Sequence, residues 1–287
     1  MKTGNHLILM YITNRLDVAL IAQKYGVERI WVDLETIGKE ERQKEQNSVK
    51  SHHKISDIAN IAPHLTTSQM MVRINPWNPH SKEEIEAVIA AGAQIIMLPY
   101  WKTVNEVKSF LSAVNGRCKT SLLLETKEAE NCLDEVLELP GIDEIHIGLN
   151  DLHLSYGLDF MFEVLTNGTV ERICKKIAAK GIPYGFGGIA QIGQGAVPAE
   201  KIILEHYRLG STRVILSRSF CNYEQIETLD EIDNVFAQNI QKLRAFEESI
   251  LHLSAQEVEN NKHELAAAVA QVAALLKKKK EQLCISK

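Results

Sequence analysis

The sequence predicts a (β/α)8 barrel carrying one additional C-terminal helix, and three observations lead there. Eight short apolar runs, at 7–13, 29–35, 70–75, 95–100, 121–126, 144–151, 184–188 and 213–220, recur along the first 250 residues. Most are continuously apolar rather than alternating, as expected of strands buried on both faces of a parallel sheet. The stretches between them carry helix start and stop signals, and eight strand–helix units in about 250 residues match the size of this barrel. An open, doubly wound sheet shows the same alternation, because periodicity does not report strand order.

The connecting segments follow in order. Ser81 with Glu84, and Thr103 with Glu106, have the S/T-x-x-E spacing of a capping box. Gly26, Gly92, Gly116, Gly181 and Gly210 sit where a helix should stop and turn into the next strand. Residues 36–54 are polar, dense in charge and too long for an ordinary strand-to-helix connection, which suggests a lid or a surface loop. Beyond Leu251 the pattern changes. Ser254 with Glu257 forms a third box, followed by Leu265, Val269, Val272 and Leu276 at 4-3-4 spacing and a lysine run at 277–280. The lysines would close that helix at the favourable end of its dipole. A finished barrel has no place for this stripe, so it must cover the barrel's outside or another subunit. The chain therefore divides into a barrel at 1–251 and an oligomerisation helix at 252–287.

Composition narrows the function classes. The 287 residues are 45% hydrophobic with a net charge of −5, which is ordinary for a globular protein. A nucleic-acid binder normally has a basic domain. No apolar run reaches the about 18 residues of a membrane span, and the N-terminus lacks a signal peptide's apolar stretch. A soluble, cytoplasmic protein is expected, with neither nucleic acid nor membrane as partner. Five scattered cysteines without a CxxC pair point to reduced thiols rather than a disulfide framework or a thiolate zinc site.

In such a barrel, side chains at the C-terminal ends of the strands meet at the catalytic face. Glu125 ends the fifth run and Asp151 the sixth. Neighbouring strands lie about 4.8 Å apart, so the two carboxylates converge and need either a shared proton or a cation. Oxygen ligands with room for water suit Mg2+ or Mn2+ rather than zinc. The same placement also fits polar strand ends that bond loop backbone. Arg73 ends the third run, where its planar fork serves either a carboxylate or oxyanion, or a rim salt bridge. Gly185, Gly187 and Gly188, with Gly193 and Gly195, fit a phosphate-cradling loop or tight turns. Trp77 and Trp101 either line a pocket or cap the barrel top.

Five stretches in register resemble the HpcH/HpaI aldolase–citrate lyase β-subunit family. They are Trp31-Val32-Asp33-Leu34-Glu35, Val72-Arg73-Ile74-Asn75, Gly92-Ala93-Gln94 with Met97-Leu98-Pro99, Leu124-Glu125-Thr126-Lys127-Glu128-Ala129, and Gly141-Ile142-Asp143 through Ile147-Gly148-Leu149-Asn150-Asp151-Leu152. The resemblance implies a metal-dependent (class II) lyase that makes or breaks a C–C bond next to a 2-oxo acid such as pyruvate through a metal-bound enolate. It implies Glu125 and Asp151 as metal ligands and Arg73 on the keto oxygen. Backbone N–H groups near Asn150 and Asp151 would bind the carboxylate, with Asp33 and Glu35 near the metal's water shell. It also implies trimers or hexamers that exchange C-terminal helices. The chain departs from the family's pattern at Thr36, where many members have histidine, at Leu149, usually proline, and in a shortened loop at 115–120. His52 and His53 are either replacement bases or solvated loop histidines. A citryl- or malyl-CoA-type lyase, which Arg73-Ile74-Asn75 also resembles, and a non-catalytic metal- and ligand-binding barrel are the alternatives.

Overall fold

The computed structural model describes residues 6–38 and 52–285. Its strands are β1 (Ile8–Ile12), β2 (Arg29–Asp33), β3 (Gln69–Arg73), β4 (Ile95–Leu98), β5 (Lys119–Leu124), β6 (Glu144–Ile147), β7 (Tyr184–Ile189) and β8 (Arg213–Leu216). Each pairs in parallel with its sequence neighbour, and β8 closes on β1. The closed barrel settles the choice against an open sheet.

The runs are apolar throughout because both strand faces are buried. Outward residues such as Ile30, Val72, Leu122 and Ile147 join the helices in one core. Inward residues Met10, Trp31, Met71, Ile95, Met97 and Leu123 fill the barrel centre as a second cluster. Below that plug lies a buried charge group, in which Arg29 grips Glu144 through two bonds of 2.5 and 2.7 Å and Arg213 adds a third. Gly185 of β7 makes room for it, since a Cβ there would sit 2.2 Å from the Arg213 carbonyl oxygen.

Several local expectations hold. Gly26, Gly92, Gly116, Gly181 and Gly210 all adopt positive φ at the ends of helices. The Thr103–Glu106 box forms, with both reciprocal bonds, and so does Ser254–Glu257. Others need correction. Ser81 is not a cap: it lies inside its helix (Ser81–Ala90), its hydroxyl accepts from the Asn78 N–H, and Glu84 turns back to accept from Asn75. The sixth run is shorter than its apolar stretch suggests. β6 stops at Ile147, and Leu149–Ser155 is a helix, so Asp151 stands in a first helical turn rather than at a strand end.

The C-terminal helix (Ala255–Ile285) lies along the barrel's own surface, against the helices Glu163–Thr166 and Ala199–Leu209. Leu265 and Val269 are both 1% exposed, so this chain itself covers much of the stripe. Lys201 pairs with Glu264, Asn261 donates to the Lys201 carbonyl, and Lys280 pairs with Asp159. The lysine run does not close the helix, which continues to Ile285. The predicted lid at 36–54 falls largely on 39–51, outside the described residues. Among the described residues no helix is long and apolar enough to cross a membrane.

Candidate active site

A cavity of about 550 Å³ opens at the C-terminal mouth of the barrel, and Asp33, Arg73, Glu125, Asn150 and Asp151 all line it. Four elements deliver them: Asp33 ends β2, Arg73 ends β3, Glu125 follows β5, and Asn150 and Asp151 open the helix after β6. Glu35, the remaining predicted residue, is buried just behind at 3% exposure.

Register sets the first contact. Asp33 lies directly opposite Arg73 in the β2–β3 ladder, and the guanidinium meets it twice at 2.8 Å, from Nε and Nη2. Glu35, two residues on and so on the same strand face, stands 3.4 Å from Nη1. Burial disfavours the arginine's charge, but Asp33 and Glu35 outweigh it and hold its pKa well above the usual value. Arg73 also lies over the Trp31 ring, 5.3 Å from its centroid. Asp33 and Glu35 thus grip Arg73, and the rim salt bridge and the site residue are the same arginine.

Glu125 is 2% exposed and accepts the Tyr100 N–H at 3.0 Å. Tyr100 presents that N–H from a left-handed backbone, φ +50°, a conformation side chains other than glycine seldom adopt. On the other side Glu125 lies against Gly148, where a Cβ would come within 2.7 Å of Oε2 and 2.9 Å of its Cβ. Asp151, 9% exposed, sits in the first turn of its helix, whose end favours negative charge.

The mouth therefore gathers four buried carboxylates, Asp33, Glu35, Glu125 and Asp151, with the guanidinium of Arg73 held by the first two, and Arg218 also lines the cavity. Among the described residues no group of three or more His, Cys, Asp or Glu side chains is arranged to hold a metal. Glu125 and Asp151 offer a two-carboxylate set of hard oxygens, which fits Mg2+ or Mn2+ that keep water or substrate oxygens in their other positions.

Residues that spacing alone left ambiguous now separate. His52 and His53 both line the cavity. His53 Nδ1 accepts the Asp33 N–H at 3.0 Å, which assigns its proton to Nε2. Thr36 instead bonds Asn75 Oδ1 through its N–H and hydroxyl, and Asn75 in turn donates to Glu84. Trp101 is fully buried in the core and Trp77 packs against it, so both cap the barrel top. Gly185, Gly187 and Gly188 belong to β7 itself, where bulky neighbours approach closely; Gly187 faces Leu149. The sequence reading missed His146, which lines the cavity from β6. Its signal was the alternation Glu144-Ile145-His146-Ile147, polar residues inward and apolar outward.

Comparison with known proteins agrees with the barrel fold. The chain shares its fold with an HpcH/HpaI aldolase from Desulfitobacterium hafniense DCB-2, at 13% identity and a TM-score of 0.59 over 87% of this chain and 95% of that one. A citrate lyase from Burkholderia xenovorans LB400 superposes with a TM-score of 0.54 at 14% identity over 95% and 93% of the two chains. Macrophomate synthase does so with a TM-score of 0.53 at 15% identity over 74% and 77%. Curated proteins gave no significant match. Residues 8–182, more than half of the chain, match the HpcH/HpaI aldolase/citrate lyase family, and the protein belongs to that family of carbon–carbon lyases and aldolases.

Proposed function

We propose that the protein is a metal-dependent lyase that forms or cleaves a C–C bond next to a 2-oxo acid such as pyruvate. The observation that carries this reading is the convergence of Arg73, Glu125 and Asp151 on one cavity at the catalytic face of the barrel. Glu125 and Asp151 would hold Mg2+ or Mn2+, which supplies Lewis acidity toward the oxo acid when bound. Arg73, kept charged and in one orientation by Asp33 and Glu35, stabilises the negative charge that develops on the keto oxygen. First-turn N–H groups around Asn150 and Asp151 receive the substrate carboxylate. Asp33 and Glu35 act as positioning residues for Arg73.

For the second substrate, His53 donates from Nε2 and cannot take up another proton while the Asp33 N–H occupies Nδ1. His52, its exposed neighbour, also lines the cavity and is assigned the proton exchange with the acceptor oxygen. One feature favours the citryl- or malyl-CoA-type alternative. A cleft of about 960 Å³ adjoins the site, shares Ser217, Arg218, Cys221 and Asn222 with it, and has room for a long acyl carrier. Assembly into trimers or hexamers through the C-terminal helix is part of the same proposal; Leu275, 60% exposed on the helix's outer side, supports it, and light scattering tests it.

Exchange of the pyruvate methyl protons with solvent, followed by proton NMR with and without Mg2+, tests the central claim. Metal-dependent exchange is expected. Binding of pyruvate without exchange would instead identify a non-catalytic barrel.

A further inference from the structure

Two polar side chains that line the cavity have no use in the reaction proposed above. Trp31 of β2 and His146 of β6 both line the cavity, and each is 1% exposed. His146 Nε2 lies 3.1 Å from the Gly187 carbonyl oxygen, so Nε2 carries the proton and Nδ1 presents a lone pair. Burial drives the His146 pKa down to about 4, which keeps the ring neutral and this tautomer in place near neutral pH. No protein group among the described residues pairs with His146 Nδ1 or with the Trp31 indole N–H. Buried polar atoms in native proteins are nearly always satisfied, and an exception asks for a ligand or a bound water.

The two atoms are chemically complementary: one donates and the other accepts. Barrel architecture also sets them in one layer. Alternate strands contribute side chains to each interior layer, and one step below, Arg29 of β2 reaches Glu144 of β6 across the axis. Trp31 and His146 lie two residues further along those same strands, on the same inward face. Trp31 is also the ring beneath Arg73, so this layer is the floor of the candidate site itself.

We propose that Trp31 and His146 form a subsite for a single hydroxyl-type oxygen, one that accepts from Trp31 Nε1–H and donates to His146 Nδ1. A carbonyl or carboxylate oxygen satisfies only the indole, and an ammonium group only the imidazole. The oxygen belongs either to a resident water or to a hydroxyl carried by the substrate. The inference needs only the cavity and does not depend on the metal or on lyase chemistry.

High-resolution crystal structures of the full chain test it in three states: without ligand, with Mg2+ and pyruvate, and with Mg2+ and 3-hydroxypyruvate. The expected result is an oxygen within about 3.2 Å of both ring nitrogens. If it persists unchanged in all three states it is a resident water; if the 3-hydroxyl group replaces it, the subsite selects hydroxylated substrates. Either outcome supports the proposal. A floor without such an oxygen in every state, or either nitrogen paired with a protein group, would overturn it. In solution, the Trp31 indole N–H resonance, assigned by its loss in Trp31→Phe, should move in His146→Leu. It should return toward its original position in His146→Asn, whose Oδ1 restores an acceptor near Nδ1. An unmoved resonance in a folded His146→Leu protein argues against the bridge. Failure of pyruvate to bind would count against the lyase reading alone, because the ligand-free crystal still decides the subsite.

Discussion

Gly148→Ala isolates the geometry of the candidate site without altering its charge. The residue has φ −81° and ψ 91°, a region open to alanine, so the backbone resists nothing. The added carbon would lie 2.7 Å from Glu125 Oε2, 2.9 Å from Glu125 Cβ and 3.2 Å from Leu123 Cδ1. Carbon atoms settle about 3.5–4.0 Å apart, so the root of the Glu125 side chain must recede by roughly 0.6–1 Å. The Tyr100 N–H bond at 3.0 Å opposes that movement. A misplacement near 1 Å costs about 10²-fold in a positioned reaction, or about 2.7 kcal/mol of barrier. Overpacking adds about 1–3 kcal/mol of lost stability. Calorimetric Mg2+ titration and pyruvate proton exchange read the functional part, and urea unfolding reads the rest. Gly181→Ala is the control, since nothing lies within 4 Å of a Cβ there and its φ of +69° strains only a remote turn. A folded Gly148→Ala protein with wild-type metal affinity and exchange rate would refute the placement of Glu125 in the machinery.

Further outcomes follow from the same contacts. Asp151→Asn keeps the side chain's size but removes an anion, and should weaken Mg2+ binding by more than about 10-fold in calorimetry, since even supporting residues reach that scale; unchanged affinity removes Asp151 from the ligand set. Arg73→Lys loses the paired bonds to Asp33, so exchange should fall by about 10²–10³-fold, the scale of one lost oxyanion donor, while Mg2+ affinity stays within a few-fold. Glu144→Gln leaves Arg29 and Arg213 buried without their carboxylate and should cost about 3–5 kcal/mol in urea unfolding; a loss below about 1 kcal/mol contradicts the charge group as described. His146 has its pKa lowered to about 4 by burial, from an unfolded value near 6.5. The unfolded chain therefore binds more protons, and this contribution is complete above the unfolded pKa and declines as pH falls toward 4, by about 1.4 kcal/mol per unit. His206, buried and lowered in the same direction, adds to the slope. His146→Leu should flatten the urea midpoint between pH 6.5 and 4.5, and an unchanged slope argues against a buried neutral imidazole.

The barrel was legible because its information is local and repeated. Eight runs buried on both faces, five of them preceded by a glycine stop, leave few parallel architectures; strand order alone had to come from three dimensions. The end of β6 was misread because Gly148-Leu149-Asn150-Asp151-Leu152 is as compatible with an apolar strand as with a helix start, and only tertiary context turns the chain at Gly148. Ser81–Glu84 matched a capping box, but Glu84 found a better use in holding Asn75. That Arg73 and Glu125 line one cavity was legible because strand ends project to one face, whereas Asp151 reaches it from the helix after β6. The pairing of Arg73 with Asp33 depends on β2–β3 register, which no single sequence states. His53 depends on a contact between residues twenty positions apart, and His146 on which face of β6 is inward.

The geometry also explains how a site can keep its binding half while its proton-transfer half changes. Thr36 is turned away from the cavity because Asn75 Oδ1 collects the N–H groups of both Thr36 and Ile37. That turn fixes the exit of the chain from β2, and with it the positions of Asp33 and Glu35 that hold Arg73. His53 lines the cavity beside Asp33, whose N–H claims its Nδ1. A neutral ring with Nδ1 occupied is a hydrogen-bond donor, and to become a base it would have to break that bond. In the proposed reaction the Asp33 backbone thus makes His53 an orienting group, and proton exchange falls to its exposed neighbour His52. In that reading, substrate anchoring and charge stabilisation fall to the ends of β2, β3 and β5 and to the helix start after β6. The proposed acid–base role falls to His52, in the connection after β2 where Thr36 departs from the histidine of many family members.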